Sequence, residues 1–271
     1  MTVFASDLNN TIIFSAKKKE KYNCTKELIC MDSTEEREFA YMTIESYERF
    51  RKLIQIVKFI PMTNCSMEQY ARTRFFKELP VEYAVITGGG LLLHNKKIDT
   101  DWLSKTLELI DPSMDELWKS KRILEKDPNR CFIVKSIDGM ITYTRSSNHI
   151  ETVKRLRDSL DPDKVWINNI GEKIYVLPKE LTKGKALQRL RKLMPDEMFY
   201  VAGDSSFDVS MLQQADVAIW SGKEDISMLH GFCKKYDINE IDFCEQVIID
   251  ILKVSSEKEN YCDGDVDILP F

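Results

Sequence analysis

The chain has 271 residues, a net charge of −5, 43% hydrophobic and 31% charged residues. This is the balance of an ordinary globular protein, and with no basic excess to neutralise a phosphate backbone it argues against nucleic acid as the main partner. No stretch reaches the ~18 apolar residues of a membrane span, and Asp7 cuts the N-terminal apolar run short of signal-peptide length, so no membrane partner and a cytoplasmic location are expected. The seven cysteines are scattered, odd in number and form no C-x-x-C pair, as expected of reduced thiols rather than a zinc site or a disulfide framework.

The elements follow in chain order. Thr2-Val3-Phe4-Ala5 is a short apolar run that stops at Ser6-Asp7. Residues 15–42 are long and charged, with Lys17-Lys18-Lys19 a solvated run, and have no assignable pattern; a flexible flap beside Asp7 is expected. Tyr47, Phe50, Leu53, Ile54 and Val57 recur at helical spacing. Phe59–Met62 is a second apolar run, ending in Thr63-Asn64, with Pro61 a mild objection to a strand. Tyr83–Ile86 is a third, ending in Thr87 and three glycines. Amphipathic helices are predicted near 101–110 and 114–126. Cys131–Ile137 and Met140–Arg145 flank Asp138-Gly139, a hairpin turn pair. A helix is predicted near 148–159, then a hairpin joining Val165–Asn168 to Lys173–Leu177 around Gly171. Leu187, Leu190, Leu193 and Met194 mark another helix, and Met198–Ala202 is a last apolar run, ending in Gly203-Asp204.

Short runs apolar on both faces read as buried parallel strands. Alternating with helices, they predict an α/β, doubly wound parallel sheet, in which ligands sit beyond the carboxyl ends of the strands. The helices and hairpins of 91–180 predict an inserted α+β cap, leaving 1–90 and 181–271 as a discontinuous core. Each polar cluster falls where such a sheet places ligands.

Asp7-Leu8-Asn9-Asn10-Thr11, Thr63 after an apolar strand, Lys183 in Thr182-Lys183-Gly184-Lys185, and Gly203-Asp204-Ser205-Ser206-Phe207-Asp208 stand in that order along the chain. Singly, each has a plain structural reading: a turn aspartate, a strand-to-helix turn, a surface lysine, helix-capping acids. Together they resemble the four motifs of haloacid dehalogenase superfamily phosphatases, and the insert between the second and third resembles the Cof-like and sucrose-phosphate phosphatase subclass. The resemblance implies an aspartyl-phosphate on Asp7, with Thr63, Asn64 and Lys183 holding the phosphoryl group. It implies Mg²⁺ held by Asp7, the Asn9 carbonyl and Asp204, with Asp208 holding a metal-bound water or orienting Lys183. The implied partner is a small phosphorylated metabolite, a sugar phosphate first. The chemistry agrees: a carboxylate attacking a phosphate dianion needs shared positive charge, and acidic oxygens suit a hard cation.

Asn9 departs from the pattern, which usually carries a second aspartate there. A carboxamide neither gives a proton to the leaving oxygen nor takes one from water, a loss of about 10²–10⁴ in rate. A weak or specialised catalyst, a phospho-ligand-binding or regulatory protein, a phosphotransferase, and an Asp-to-Asn change introduced to slow turnover all fit. Among other residues, Gly88 and Gly89 are not a P-loop, since no Lys-Ser/Thr follows; they are expected to let backbone approach a ligand or the cap hinge. Arg145, Asn168, Asn169 and Lys173 at cap strand ends are expected to meet substrate hydroxyls, and His149 lies at a cap helix start. Asp263, Asp265 and Asp267 resemble the opening of a calcium loop but read as an acidic tail, because the chain ends before the closing glutamate.

Overall fold

Alternation along the first strand, Thr2–Ser6, sets the layers of the core. Val3 and Ala5 enter one buried cluster with Leu187, Leu190 and Met211, while Phe4 enters another with Phe50, Phe59 and Val247. The strand Met198–Gly203 divides in the same way, Phe199 and Val201 to one side and Tyr200 and Ala202 to the other. A strand buried on both faces needs helices on both. Here the helices Ile44–Ile56 and Glu240–Tyr261 cover one face, and Thr100–Ile110, Lys183–Leu193 and Val209–Leu212 serve the other. The computed structural model describes residues 2–223, 226, 227, 229 and 232–261, with 256–261 described by backbone alone; the acidic tail lies outside the described residues.

The central sheet has five parallel strands in the order Phe232–Lys235, Val217–Trp220, Met198–Gly203, Thr2–Ser6, Lys58–Pro61. The chain winds outward from Thr2–Ser6 to Lys58–Pro61, then returns to the other side of Thr2–Ser6. The switch point therefore lies between Thr2–Ser6 and Met198–Gly203, where a crevice opens at the carboxyl ends. Pro61 is tolerated because it ends the edge strand, and the next N–H, from Met62, donates to the Ser6 carbonyl at 2.7 Å. Tyr83–Ile86 meets the parallel expectation only through a single parallel bridge, Met62 with Val85, and pairs antiparallel with Leu91–His94.

The 15–42 stretch is not a structureless flap. Phe14–Ser15, Leu28–Ser33 and Glu38–Thr43 form an antiparallel sheet, with the helix Ala16–Lys21 between its first two strands along the chain. Arg72 grips Asp32 through Nε and Nη2, and Arg74 Nε donates to the Cys30 carbonyl at 2.7 Å, fixing this sheet to the core.

The cap sheet is antiparallel, in the order Val165–Ile170, Lys173–Pro178, Ile141–Arg145, Lys135–Ile137. One face packs on Met114–Glu125 and His149–Arg157 through Leu117, Leu124, Val153, Leu156, Ile174 and Val176. Asp138 and Gly139 take φ of 47° and 77°, left-handed values at the centre of the turn that the Met140 N–H closes on the Ile137 carbonyl at 2.9 Å. Residues 91–110, expected in the cap, pack on the core. Trp102 lies in the cluster with Val3 and Ala5, donates Nε1 to the Gly89 carbonyl at 3.1 Å, and stacks under the Arg189 guanidinium at 3.6 Å. We therefore propose a cap that begins near Asp111 and returns near Leu181.

Candidate active site

Asp7 follows the central strand directly, and its N–H donates to the Ala202 carbonyl at 3.0 Å, so the sheet ladder itself holds the residue at the switch point. The chain then turns tightly: Asn10 takes φ of 62°, and the N–H groups of Thr11, Ile12 and Ile13 all converge on the Leu8 carbonyl. Across the crevice, Lys183 opens the helix Lys183–Leu193, capped by the Thr182 hydroxyl on the Lys185 N–H at 3.1 Å. The lysine is buried, and its Nζ donates to Asp7 Oδ1 at 2.5 Å and Asp208 Oδ1 at 2.6 Å.

Asp208 is fully buried. Its second oxygen accepts from the Asp204 N–H, the Ser205 N–H and the Ser205 hydroxyl at 3.2, 3.0 and 2.8 Å. With both oxygens engaged, Asp208 is built to position Lys183 and the 203–208 turn. Asp204 is less constrained: Asn10 Nδ2 and Thr11 Oγ1 reach one oxygen each at 3.3 Å. The backbone frame is tight around these groups. A Cβ on Gly203 would stand 2.4 Å from Asp208 Cβ, and one on Gly184 would stand 2.3 Å from the Ser210 carbonyl oxygen.

The electrostatics follow from two buried carboxylates, the half-buried Asp204 and one buried ammonium. Burial raises Asp7 to about 6, with Asp208 adding repulsion and Lys183 opposing both. Burial and repulsion from Asp208 and Asp7 push Asp204 well above the carboxylate range. Burial alone would lower Lys183, but Asp208 and Asp7 together hold it above its ordinary value. One cation cannot balance three such acids. Ligand oxygens of Asp7, Asp204 and Asp208 lie within 4.8 Å of one another, and among the described residues the Asn9 carbonyl accepts no hydrogen bond. The donor set is all oxygen and net anionic, which fits a hard divalent cation that keeps several waters.

Thr63 lies beyond the neighbouring strand, at the same edge as Asp7. Its hydroxyl accepts from the Cys65 N–H at 3.2 Å, which leaves the hydroxyl proton to donate elsewhere. Asn64 Oδ1 is buried without a partner. Asn9 is exposed at the crevice, and its Nδ2 has one contact, Cys65 Sγ at 3.8 Å.

Gly88 and Gly89 are buried in protein: a Cβ on Gly89 would meet Ala186 Cβ at 2.9 Å and the Thr182 carbonyl oxygen at 3.0 Å, and one on Gly88 would meet Asn64 Oδ1, Ile141 and Leu177. They bring the cap base and the Lys183 helix close together. Asn169 pairs with Ile174, whose side chain belongs to the helix-facing cluster of the cap, so it faces away from the core. Its neighbour Asn168 faces the core and donates to Ser206 Oγ at 2.8 Å. Sequence reasoning missed two further links: Asp138 Oδ2 accepts from the Thr87 hydroxyl and from the Met67 N–H, and Trp166 and Tyr175 both pack edge-on against Phe207. The Asp-Gly pair signalled only a turn; the alternation of Trp166 and Asn168 was the available sign of the second link.

The model for haloacid dehalogenase-like hydrolases matches residues 70–226, more than half of the chain. The chain belongs to the haloacid dehalogenase-like hydrolase family. The match takes in Lys183, Asp204 and Asp208 and leaves Asp7 and Thr63 outside it. No curated protein matches the sequence. Among solved structures, a sucrose-phosphatase from Synechocystis in complex with sucrose and phosphate is 14% identical, with a TM-score of 0.59 over 92% of this chain and 97% of that one. A trehalose-6-phosphate phosphatase related protein is 13% identical, with a TM-score of 0.54 over 95% and 100%. A haloacid dehalogenase-like hydrolase from B. subtilis is 12% identical, with a TM-score of 0.55 over 92% and 99%. At these identities the likeness is one of fold: a family core with a cap. Among the described residues no helix is long and apolar enough to cross a membrane.

Proposed function

We propose that this chain is a Mg²⁺-dependent phosphatase for a small phosphorylated metabolite, a sugar phosphate first, with Asp7 as nucleophile and turnover slowed by Asn9. The carrying observation is the buried Lys183 bridging Asp7 and Asp208 beside Asp204, at the switch point of the sheet. The sugar-phosphatase relatives support the substrate class, with no bearing on which metabolite it is.

Asp7, the Asn9 carbonyl and Asp204 would hold the cation, which when bound offsets the charge of the phosphate dianion. Lys183 and the Thr63 hydroxyl orient the phosphoryl oxygens. The Asp7 carboxylate attacks phosphorus in line, the bond to the leaving oxygen breaks, and an aspartyl-phosphate forms. Water then attacks that phosphorus, releasing phosphate and restoring Asp7. Each step moves a proton that the Asn9 amide cannot carry, so bulk water supplies or accepts it. Asp7→Ala is expected to abolish phosphate release from a phosphorylated-metabolite panel in Mg²⁺; undiminished release would mean that the nucleophile lies elsewhere.

Asn9 also supports a second reading, a protein that binds a phosphorylated ligand or passes its phosphoryl group to an acceptor other than water. Tight ligand binding with no phosphate release, from either the unaltered chain or the Asn9→Asp variant, would favour it.

A further inference from the structure

The core-facing side of the cap sheet is read from its register. Tyr143 pairs with Tyr175 and Arg145 with Lys173, so these four side chains share one face, opposite the helix-facing Ile174 and Val176. Lys135 pairs with Tyr143 and joins the same face. That this face looks at the core follows from Tyr175, whose ring meets Phe207 of the Asp204–Asp208 turn at 5.2 Å. From Phe207 outward, the surface runs through Tyr175 and Tyr143, with ring centroids 5.0 Å apart, to Arg145 and Lys173.

The cations on this surface form no ion pairs among the described residues: none involves Arg145, Lys173, Lys135 or Lys17 of the Ala16–Lys21 helix. Their contacts are aromatic or phenolic: Arg145 Nε donates to the Tyr143 hydroxyl at 3.1 Å and its guanidinium lies 5.4 Å from the Phe132 ring. Glu172 is within electrostatic range of Arg145 without forming a pair. Arg145 and Lys173 directly opposite each other repel, and such cross-strand like-charge pairs destabilise a sheet. Lys17 of the Ala16–Lys21 helix also lies within electrostatic range of Lys173. Crowding by protein, then Arg145, lowers the Lys173 ammonium below the ordinary lysine value although part of the side chain remains exposed.

We infer that the substrate carries a second anionic group, a carboxylate or a second phosphate, which Arg145 and Lys173 receive on the cap while its phosphoryl group sits at Asp7. The inference rests on the phosphatase reading for the position of the phosphoryl group. Arg145 offers the planar fork that matches either anion, and Lys173 and Lys17 add point charges. The tyrosines between the two poles offer an aromatic surface of the kind that covers a small ring or carbon chain. A sugar phosphate with no second anion would leave the opposed cations unpaired.

The test is calorimetric binding to the full chain in Mg²⁺, with two matched pairs: glucose 6-phosphate against 6-phosphogluconate, and fructose 6-phosphate against fructose 1,6-bisphosphate. The second anion is expected to tighten binding about tenfold or more in at least one pair, and which pair responds tells carboxylate from phosphate. In R145Q/K173Q the advantage is expected to shrink to about threefold or less, with folding checked by circular dichroism. Equal affinities within both pairs of the unaltered chain, or an advantage that survives R145Q/K173Q, would overturn the inference. Phosphate release from p-nitrophenyl phosphate, lost in Asp7→Ala, reads the phosphatase assignment separately, since that compound has no second anion.

Discussion

Replacing Asn9 by aspartate isolates the departure at the position that the motif resemblance gives to a second aspartate. The side chain is exposed, and its single contact, to Cys65 Sγ at 3.8 Å, is too long to hold much energy. Asn9→Asp should therefore change folding stability by about 1 kcal/mol or less. Its effect on rate should be far larger. The new carboxyl would stand beside Asp7 and Asp204, whose ionisation is already opposed by burial and mutual repulsion. Unlike an amide, that carboxyl can both give and take a proton. A gain of about 10²–10⁴ in kcat, or about 2.7–5.4 kcal/mol of barrier, is expected. It should be greater for alkyl phosphates, whose leaving oxygen needs the proton, than for aryl phosphates. Steady-state phosphate release in Mg²⁺ with one substrate of each kind, with Asp7→Ala as the blank in both backgrounds, measures it. A gain below about tenfold, or an equal gain for both leaving groups, would refute the account of Asn9 as the missing proton carrier.

Lys183→Ala should abolish phosphate release and lower the unfolding free energy by about 3–5 kcal/mol, because it strands Asp7 and Asp208 as buried acids without their cation; urea denaturation checks the second part. Gly184→Ala should destabilise by about 1–3 kcal/mol or more, since its Cβ would lie 2.3 Å from the Ser210 carbonyl oxygen and the helix must retreat, taking Lys183 with it. A stable, fully active Gly184→Ala would show that the frame tolerates slack. At Glu240, burial opposes ionisation, but the hydrogen bonds from Lys18 and Tyr22 prevail and hold the pKa at about 2, below its ordinary 4.5. A depressed acid contributes stability that is complete above about pH 4.5 and is lost as pH falls through about 2. Glu240→Gln should therefore flatten the melting temperature over that acid range, by an amount equivalent to about 1 kcal/mol or less for so solvated a pair.

The strands of the core were legible because each apolar run ends abruptly in the residues that face the crevice: Asp7, Thr63 and Asp204 stand at three such ends. Lys183 was legible through its position at a helix start. The flap sheet was not, because its strands Leu28–Ser33 and Glu38–Thr43 carry acids and a register shift between Cys30 and Asp32, which break the alternation that marks a strand. The choice between Asn168 and Asn169 was equally closed to the sequence. A one-residue change of register reverses the face, and the pairing of Asn168 with Tyr175 was not fixed by composition. The glycines at 88 and 89 carried a correct signal of close approach, but the approaching body is the Lys183 helix and the cap base, which lie far away in sequence.

The tight seat of Gly184 against Ser210, and of Gly203 against Asp208, has a consequence for how such a protein changes over generations. Main-chain contacts fix the spacing of Lys183 and Asp208, and Asn9 takes no part in them. Position 9 can therefore exchange amide for carboxylate with the scaffold indifferent to the outcome, whereas the residues that meet Lys183 cannot change without cost to folding. On the proposed mechanism, the proton-transfer role of position 9 is thus separable from fold integrity, whereas Lys183 carries both. If the proposed mechanism holds, a lineage could slow this site, or quicken it again, by a single side-chain change that leaves the architecture as it was.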